Sequence, residues 1–399
     1  MMGRLFSTLP LFSADYSSAA SAVRDSGALA IICCPNGCMG NYVRFDEPRW
    51  ADMPGNVLQM DMEEIDVIFG SKDWMKELRG IDTGSIDAIA FIHTPVSSLV
   101  GFDTDSLCRK VREEFGIRAV SVDTNGYGTY HDGIDRAMRA LLKAVPDEDG
   151  PGGTAILGFT PLEYTEGELA YIKYNCRGEM CFPGDPLDGL KRIRGADRNV
   201  LMSSSASPFA RMMEERFGIP YEFYTEGVQA DPTGDTDVLI IGEQVRSELI
   251  RNRLRRNGKD ADIATFFTLD DRFSEKGDVR LRTEGDVTAL ASKGYRYVIA
   301  DPLIEPLFHE SVRFIRDPQA AVSSRLFWKD RTDIRQLDLI IEQAVTSRQR
   351  PLSVYDVLHE YSKAYAVRMD DGMVDYEVPK KLQDLDAKLG FDIFPILRS

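Results

Sequence analysis

The 399-residue sequence has no Gly-x-Gly-x-x-Gly after any strand-like run and no Gly-Lys-Ser/Thr phosphate loop. Both are backbone cradles for nucleotide phosphates, so neither NAD binding nor intrinsic ATP hydrolysis is expected. Gly126-Tyr-Gly128 is a lone Gly-x-Gly. No Gly-x-Ser-x-Gly elbow occurs, and the four histidines (His93, His131, His309, His359) are scattered, so a hydrolytic triad has little material. No apolar run approaches the ~18 residues of a membrane span. The stretch from Met1 to Phe12, interrupted at Pro10, lacks the apolar core of a signal peptide. Six cysteines are too few for a disulfide framework in a chain this long. A cytoplasmic protein is expected. Basic charge is also short: a net charge of −16 argues against nucleic acid and against anionic membrane surfaces as partners.

What is present is an ordinary globular composition, with enough length for two or three domains. Short apolar runs alternate with polar loops and amphipathic stretches. Strands are expected at Ala28–Ile32, Ile86–Ile92, Arg118–Val122, Thr154–Gly158, Met180–Phe182, Asp237–Gly242 and Tyr297–Ala300. Helices are expected near 15–30, 72–80, 105–115, 134–144, 166–173, from Pro208, at 244–256 and at 337–347. That alternation predicts βαβ units and doubly wound parallel sheets. Pro146-Asp-Glu-Asp-Gly-Pro-Gly-Gly153 reads as a linker. The fold class is thus α/β, with three Rossmann-like units at 1–147, 148–234 and 235–340 and a C-terminal extension over 341–399.

Chemistry concentrates in one loop. Ile31-Ile-Cys-Cys-Pro-Asn-Gly-Cys-Met-Gly40 carries half of the cysteines just past a strand, where open α/β sheets bind ligands. Thiolates suit iron–sulfur clusters, zinc or copper(I), and Cys33-x4-Cys38 with Cys34 could put two on one centre. The competing reading is that Cys33 and Cys34 are strand-end core residues. Cys176 and Cys181 repeat the C-x4-C spacing, with Cys181 in a buried strand, and Cys108 falls on a helix as a core residue. His93 and His131 follow apolar strands and are cleft candidates alongside Thr94 and Asp123; a structural role is the alternative for both histidines. Asp61, Glu63, Glu64 and Asp66 read as a solvated face.

Several of these stretches, in this order, resemble the nitrogenase component 1 type oxidoreductases. Ile32-Cys-Cys-Pro-Asn-Gly-Cys38 is similar to the family's HGPxGC loop, and Asp61–Gly70 to its acidic stretch ending in VFGG. Thr94–Asp103 is similar to TCxxxxIGDD, Asp123–His131 to TPGFxGSH, and Met213–Tyr221 to MEExYGIPW. The resemblance implies three Rossmann-like domains around a central cleft and pairing into a homodimer or a heteromer with a second component 1-like chain. It also implies electron delivery by a separate P-loop iron-protein reductase. In the family an interface cluster takes cysteines from three places. Cys38 matches the second, the third falls at Pro95, and no cysteine precedes Cys33 to supply the first. The ligand set for an iron–sulfur cluster is therefore incomplete in this chain, with Cys38, Cys33 and Cys34 as its candidates. The iron–molybdenum cofactor's cysteine falls near Met202, so that cofactor and dinitrogen reduction are not expected. The resemblance implies a nitrogenase-like reductase subunit acting on a small molecule, or a non-catalytic scaffold, cofactor carrier or pairing subunit.

Overall fold

The computed structural model describes residues 8–51, 55–63, 72–81, 86–160, 162–232 and 236–345. The C-terminal tail from 346, and most of the acidic stretch likened to the family over 61–70, lie outside them. The first sheet is built from β1 (Leu29–Cys34), β2 (Val57–Asp61), β3 (Ala88–His93) and β4 (Arg118–Val122), in the order β2-β1-β3-β4. Every pairing is parallel. Both faces are covered, so β1 and β3 are buried along their whole length, as parallel strands with continuous apolar sequence are. Helices α1 (Asp15–Asp25), α2 (Trp74–Leu78), α3 (Pro95–Leu99), α4 (Thr104–Phe115) and α5 (Tyr130–Leu142) complete the unit.

Helix α1 is made almost wholly of small residues on its buried side, which lets α5 approach closely. At Gly133 of α5 an added Cβ would lie 1.9 Å from the Asp15 carbonyl oxygen, so only glycine fits the crossing. The buried Asp15 carboxylate accepts the N–H groups of Asn125 (3.1 Å) and Gly126 (2.7 Å) and a hydrogen bond from Arg136 at 2.9 Å. One side chain thus pins the loop after β4 to the start of α1.

The second sheet has the same topology: β5 (Thr154–Leu157), β6 (Gly178–Phe182), β7 (Arg198–Leu201) and β8 (Tyr221–Phe223), ordered β6-β5-β7-β8, with α6 (Glu166–Cys176) and α7 (Ser207–Phe217). The third is ordered β11-β10-β9-β12-β13, from β9 (Thr236–Ile241), β10 (Asp260–Thr265), β11 (Val279–Arg280), β12 (Tyr297–Ala300) and β13 (Arg313–Arg316). Its helices are α8 (Gln244–Arg256), α9 (Glu284–Ala291) and α10 (Asp338–Val345). The three-unit α/β architecture is the one the alternation predicts. Strands β2, β7, β8, β10, β11 and β13 and helices α3 and α9 were not expected. They are short, or begin or end on charged residues (Asp260-Ala-Asp, Arg313-Phe-Ile-Arg316), so no apolar run marks them. Helix α5 begins four residues earlier than its periodicity suggests, because Thr129 and Asp132 form a capping box.

Residues to Val345 form one compact unit, and buried charge ties its sheets together. Glu243, capping α8, also accepts the Ser204 N–H at 2.7 Å, joining the third sheet to the second. Glu168 of α6 accepts two hydrogen bonds from Arg331, one of them 2.6 Å long, and the Ile334 N–H at 2.8 Å. Arg246 is paired with Asp317 at 2.6 Å, both almost fully buried. First and third sheets meet where His131 stacks on Phe267 at 4.8 Å. Among the described residues no helix is long and apolar enough to cross a membrane.

Two outcomes are expected. Asp317→Ala leaves the Arg246 guanidinium buried without its carboxylate and should cost about 3–5 kcal/mol in denaturant unfolding. The second concerns Glu163, whose carboxyl is pushed up to about 7 by burial and by the neighbouring Glu243. Its folded form holds a proton that the unfolded chain releases near pH ~4.3, so its share of stability is present at low pH and is lost as pH rises to about 7. Glu163→Gln removes that share. The drop in melting temperature between pH 5 and pH 8 should shrink by a few degrees, and an unchanged drop would contradict the assignment.

Candidate functional site

In the first sheet the chain turns outward in one direction after β1 and in the other after β3. These neighbouring strand ends form the switch point where ligands lie against open parallel sheets. Side-chain hydroxyls close the strand ends in sequence. Thr94 donates to the Cys33 carbonyl at 2.7 Å, and Thr124 donates to the His93 carbonyl. Thr94 also begins α3 in a capping box with Ser97. His93, Thr94 and Asp123 are therefore gathered at one end of the sheet.

The three cysteines do not converge there. Successive residues of a strand point to opposite faces. Cys33 enters the cluster of Met60, Met75, Leu107 and Cys108, and Cys34 the other core beneath α1 and α5. Burial drives the Cys33 thiol far above its ordinary range, and burial together with repulsion from Cys38 and Asp61 pushes Cys34 up to about 12. Both remain protonated at neutral pH, and a thiol is a poor metal ligand. Cys38 differs. It sits in a tight turn, its N–H bonded to the Pro35 carbonyl at 3.1 Å and Gly37 at φ +88°, and its side chain is exposed.

The second C-x4-C pair does not form a site either. Cys176, half-buried, donates to the Ile172 carbonyl and Cys181 is buried in the core. Among the described residues no three His, Cys, Asp or Glu side chains are placed to hold a metal ion. The donors among the described residues therefore do not make up a cluster site by themselves.

His93 is nearly buried. Its Nε2 meets Thr104 Oγ1 at 2.8 Å, Thr104 in turn meets Ser121 at 2.6 Å, and Nδ1 has no partner. Burial lowers its pKa against the opposing pull of Asp123 and Asp105, which keeps the ring neutral. Asp123 is exposed and its carbonyl accepts from Arg136 at 2.9 Å. His131 is elsewhere: it lies within α5, and its Nδ1 accepts the Thr268 N–H at 3.3 Å from the third sheet. Burial brings its pKa down to about 3, so it works as a neutral tie between sheets.

The residues beside Cys38 that sequence reasoning missed form a pocket of about 700 Å³. It is walled by Asn36, Asn41, Phe45, Trp50 and Gln59, with Gln59 donating to the Pro35 carbonyl at 3.2 Å. The segment behind it is anchored by charge: Glu47 and Asp25 both pair with Arg49, at 2.7 and 3.0 Å. The signal was the loop's Gly and Asn content with Trp50 downstream, but nothing in it specified a cavity. Phe45 (58% exposed) and Leu99 (87% exposed) carry apolar surface on the two loops leaving this sheet end.

Thiol chemistry checks this placement. In the native chain a disulfide reagent such as Ellman's should react with one cysteine in a fast phase that Cys38→Ser abolishes. Cys33, Cys34, Cys108 and Cys181 should react only on unfolding. A fast phase that survives Cys38→Ser contradicts the burial described here.

Comparison with known proteins places these features in a family. A model described as nitrogenase component 1 type oxidoreductase matches residues 18–230, more than half of the chain. A nitrogenase iron-molybdenum cofactor biosynthesis protein NifE from Mesorhizobium japonicum is 32% identical over 260 residues, 58% of this chain and 48% of that protein. A nitrogenase molybdenum-iron protein alpha chain from Methanothermobacter marburgensis is 27% identical over 237 residues, 50% of this chain and 48% of that one. The chain thus spans about half the length of the curated relatives it matches. A solved structure titled "Nitrogenase Cp1 at pH 6.5" superposes with a TM-score of 0.63 over 88% of this chain and 96% of that one. At 12% identity that likeness speaks for the fold alone. The chain belongs to the nitrogenase component 1 type oxidoreductase family.

Proposed function

We propose that this chain is a pairing and cofactor-carrying subunit of a nitrogenase-like complex, in which Cys38 supplies one thiolate to an iron–sulfur centre completed by a second component 1-like chain. The second chain is another copy or a paralogue, and electrons come from a separate ATP-hydrolysing iron protein. The observation that carries this reading is the exposure of Cys38 at the switch point of the first sheet while Cys33 and Cys34 are buried on opposite faces. A cluster commonly takes four thiolates; one exposed thiol implies that the others come from outside this chain. The exposed Phe45, which shares a pocket with Gly37 and Met39 on either side of Cys38, fits a surface that another chain covers. Relatives named as cofactor biosynthesis proteins support the carrier role. The units 1–147, 148–234 and 235–340 are proposed to act as one frame for this edge.

The pocket beside Cys38 favours a second reading: a small molecule bound there and reduced through the shared centre. Its volume of about 700 Å³ lies within the range of small-molecule sites. Cys38, whose neighbours Gly37 and Met39 line the pocket, would then adjoin the reaction site.

The test is anaerobic purification, from the native host, of the complex captured through a tag on this chain. Iron and acid-labile sulfide are assayed and the EPR signal recorded. Cys38→Ala is expected to lose most of the bound iron, while Cys33→Ala and Cys34→Ala keep it. An iron-free wild-type complex after reconstitution, or full iron in Cys38→Ala, would overturn the proposal. Substrate-dependent oxidation of the centre would favour the reductase reading over the carrier.

A further inference from the structure

A second cavity, of about 510 Å³, opens where three strand ends meet the N-terminal segment. Its walls come from the loop after β4, the residues after β10, the end of β11, and the segment before α1. Strand C-terminal ends are where parallel sheets bind ligands, and the volume suits a small molecule. This cavity is not part of the Cys38 site.

Its lining is chemically specific. Phe12 and Phe266 meet edge to face at 5.1 Å, and Phe12 and Phe267 lie 6.1 Å apart. Phe267 is in turn backed by the His131 ring. Tyr127 stands on the rim, 86% exposed and with no ring partner among the described residues. The cavity thus offers one aromatic wall already packed and one free ring opposite in the chain's layout, which suits a flat aromatic ligand.

The charge is equally one-sided. Arg280 and Arg282 line the cavity, and among the described residues no carboxylate does. The sequence holds 64 acidic residues against 48 basic, so a cavity with two cations and no acid departs from the rest. Among the described residues, neither guanidinium makes an ion pair or a hydrogen bond. Elsewhere in the third sheet arginines are held by carboxylates, as Arg246, Arg251, Arg253 and Arg255 are. Strand pairing continues past β11, with the Leu281 N–H on the Thr265 carbonyl at 2.7 Å. Leu281 is buried while Arg280 and Arg282 are exposed, the alternation of an extended backbone. Both guanidiniums therefore leave on one side, from Cα atoms roughly 6.5 Å apart. Each can take a carboxylate with two parallel hydrogen bonds.

We infer that this cavity binds a small planar aromatic dicarboxylate, its ring against the Phe12, Phe266 and Phe267 wall and its two carboxylates on Arg280 and Arg282. The site bridges the first and third sheets, so the ligand stabilises their contact.

Isothermal titration of the full chain with naphthalene-2,6-dicarboxylate tests this, with the neutral diamide of the same ring, adipate and inorganic phosphate as controls. The dicarboxylate is expected to bind and to raise the melting temperature. Arg280→Gln/Arg282→Gln should weaken binding at least tenfold, and Tyr127→Ala should weaken it measurably. All three positions are exposed, so the unliganded variants should melt like wild type. Cys38→Ala should bind the dicarboxylate normally, which separates this site from the cluster proposal. No binding up to about 10 mM dicarboxylate, equal affinity in the double-arginine variant, or equal affinity for the diamide would overturn the inference. Adipate or phosphate binding as tightly as the aromatic probe would do the same, by showing a site for anions only.

Discussion

A parallel sheet has to be covered on both faces, and that requirement places nearly everything of chemical interest in this chain. All six residues of β1 are buried, alternating between the core beneath α1 and α5 and the core beneath α2 and α4. Any side chain inside the strand becomes packing, whatever its chemistry. Cys33 and Cys34 are adjacent in sequence yet face different cores, and the sheet lies between them. The turn beginning at Pro35 is the first point at which a side chain can leave both layers, and Cys38 is the thiol that does. Hydroxyls from the exit loops of β3 and β4 then satisfy the last carbonyls of β1 and β3. Those bonds remove the polar cost of ending two strands side by side and hold the exit loops in one place.

The same economy of space explains the charge distribution. An acidic chain with many arginines places them against carboxylates: Arg331 on Glu168 between the second and third units, Arg246 on Asp317 within the third, Arg49 between Glu47 and Asp25 within the first. A buried pair adds little stability over an apolar pair of the same shape, but breaking one is costly. Such pairs therefore select one local arrangement, and the Glu168–Arg331 pair one placement of the second unit on the third. Against that pattern Arg280 and Arg282 stand out, because among the described residues their guanidiniums have no partner and the cavity they line has no carboxylate.

Legibility in the sequence followed the physics of each element. Strands with continuous apolar runs were readable to within a residue or two: Arg118–Val122 and Tyr297–Ala300 needed no adjustment. Asp260–Thr265 was not, since its alternating acidic residues meet local partners such as Arg255 and Tyr295 that only the fold supplies. For the cysteine loop, the sequence left two readings of Cys33 and Cys34, shared ligands or strand-end core, and the structure places both in the core. A C-x4-C spacing says how far apart two thiols are along the chain, whereas ligation depends on which side of the sheet each one leaves. His131, a cleft candidate with a structural role as the alternative, takes the structural one. A histidine shortly after an apolar strand looks loop-borne, but the Thr129 cap starts α5 before it and turns its ring toward Phe267.

The positions where the family resemblance expects further ligands are not simply vacant. Pro95, where a third cluster cysteine is expected, opens helix α3, and its ring fills the space beside Gly126, where a Cβ would come within 2.2 Å of Pro95 Cγ. Gly126 is held at φ +75° by that turn, with its N–H on Asp15. Restoring a cysteine at 95 would remove a helix-starting proline and open a gap against the turn that Asp15 organises. Met202, near the expected cofactor cysteine, is fully buried; its N–H bonds the Leu157 carbonyl at 2.8 Å and its carbonyl accepts the Tyr164 hydroxyl at 2.8 Å. Both positions have been absorbed into packing and backbone closure, so each now depends on neighbours that suit the present residue. Cys38 has not been absorbed: nothing packs over its side chain, and the turn that carries it is fixed from below. Pro95 and Met202 thus serve packing, whereas Cys38 of the matched positions keeps an exposed side chain.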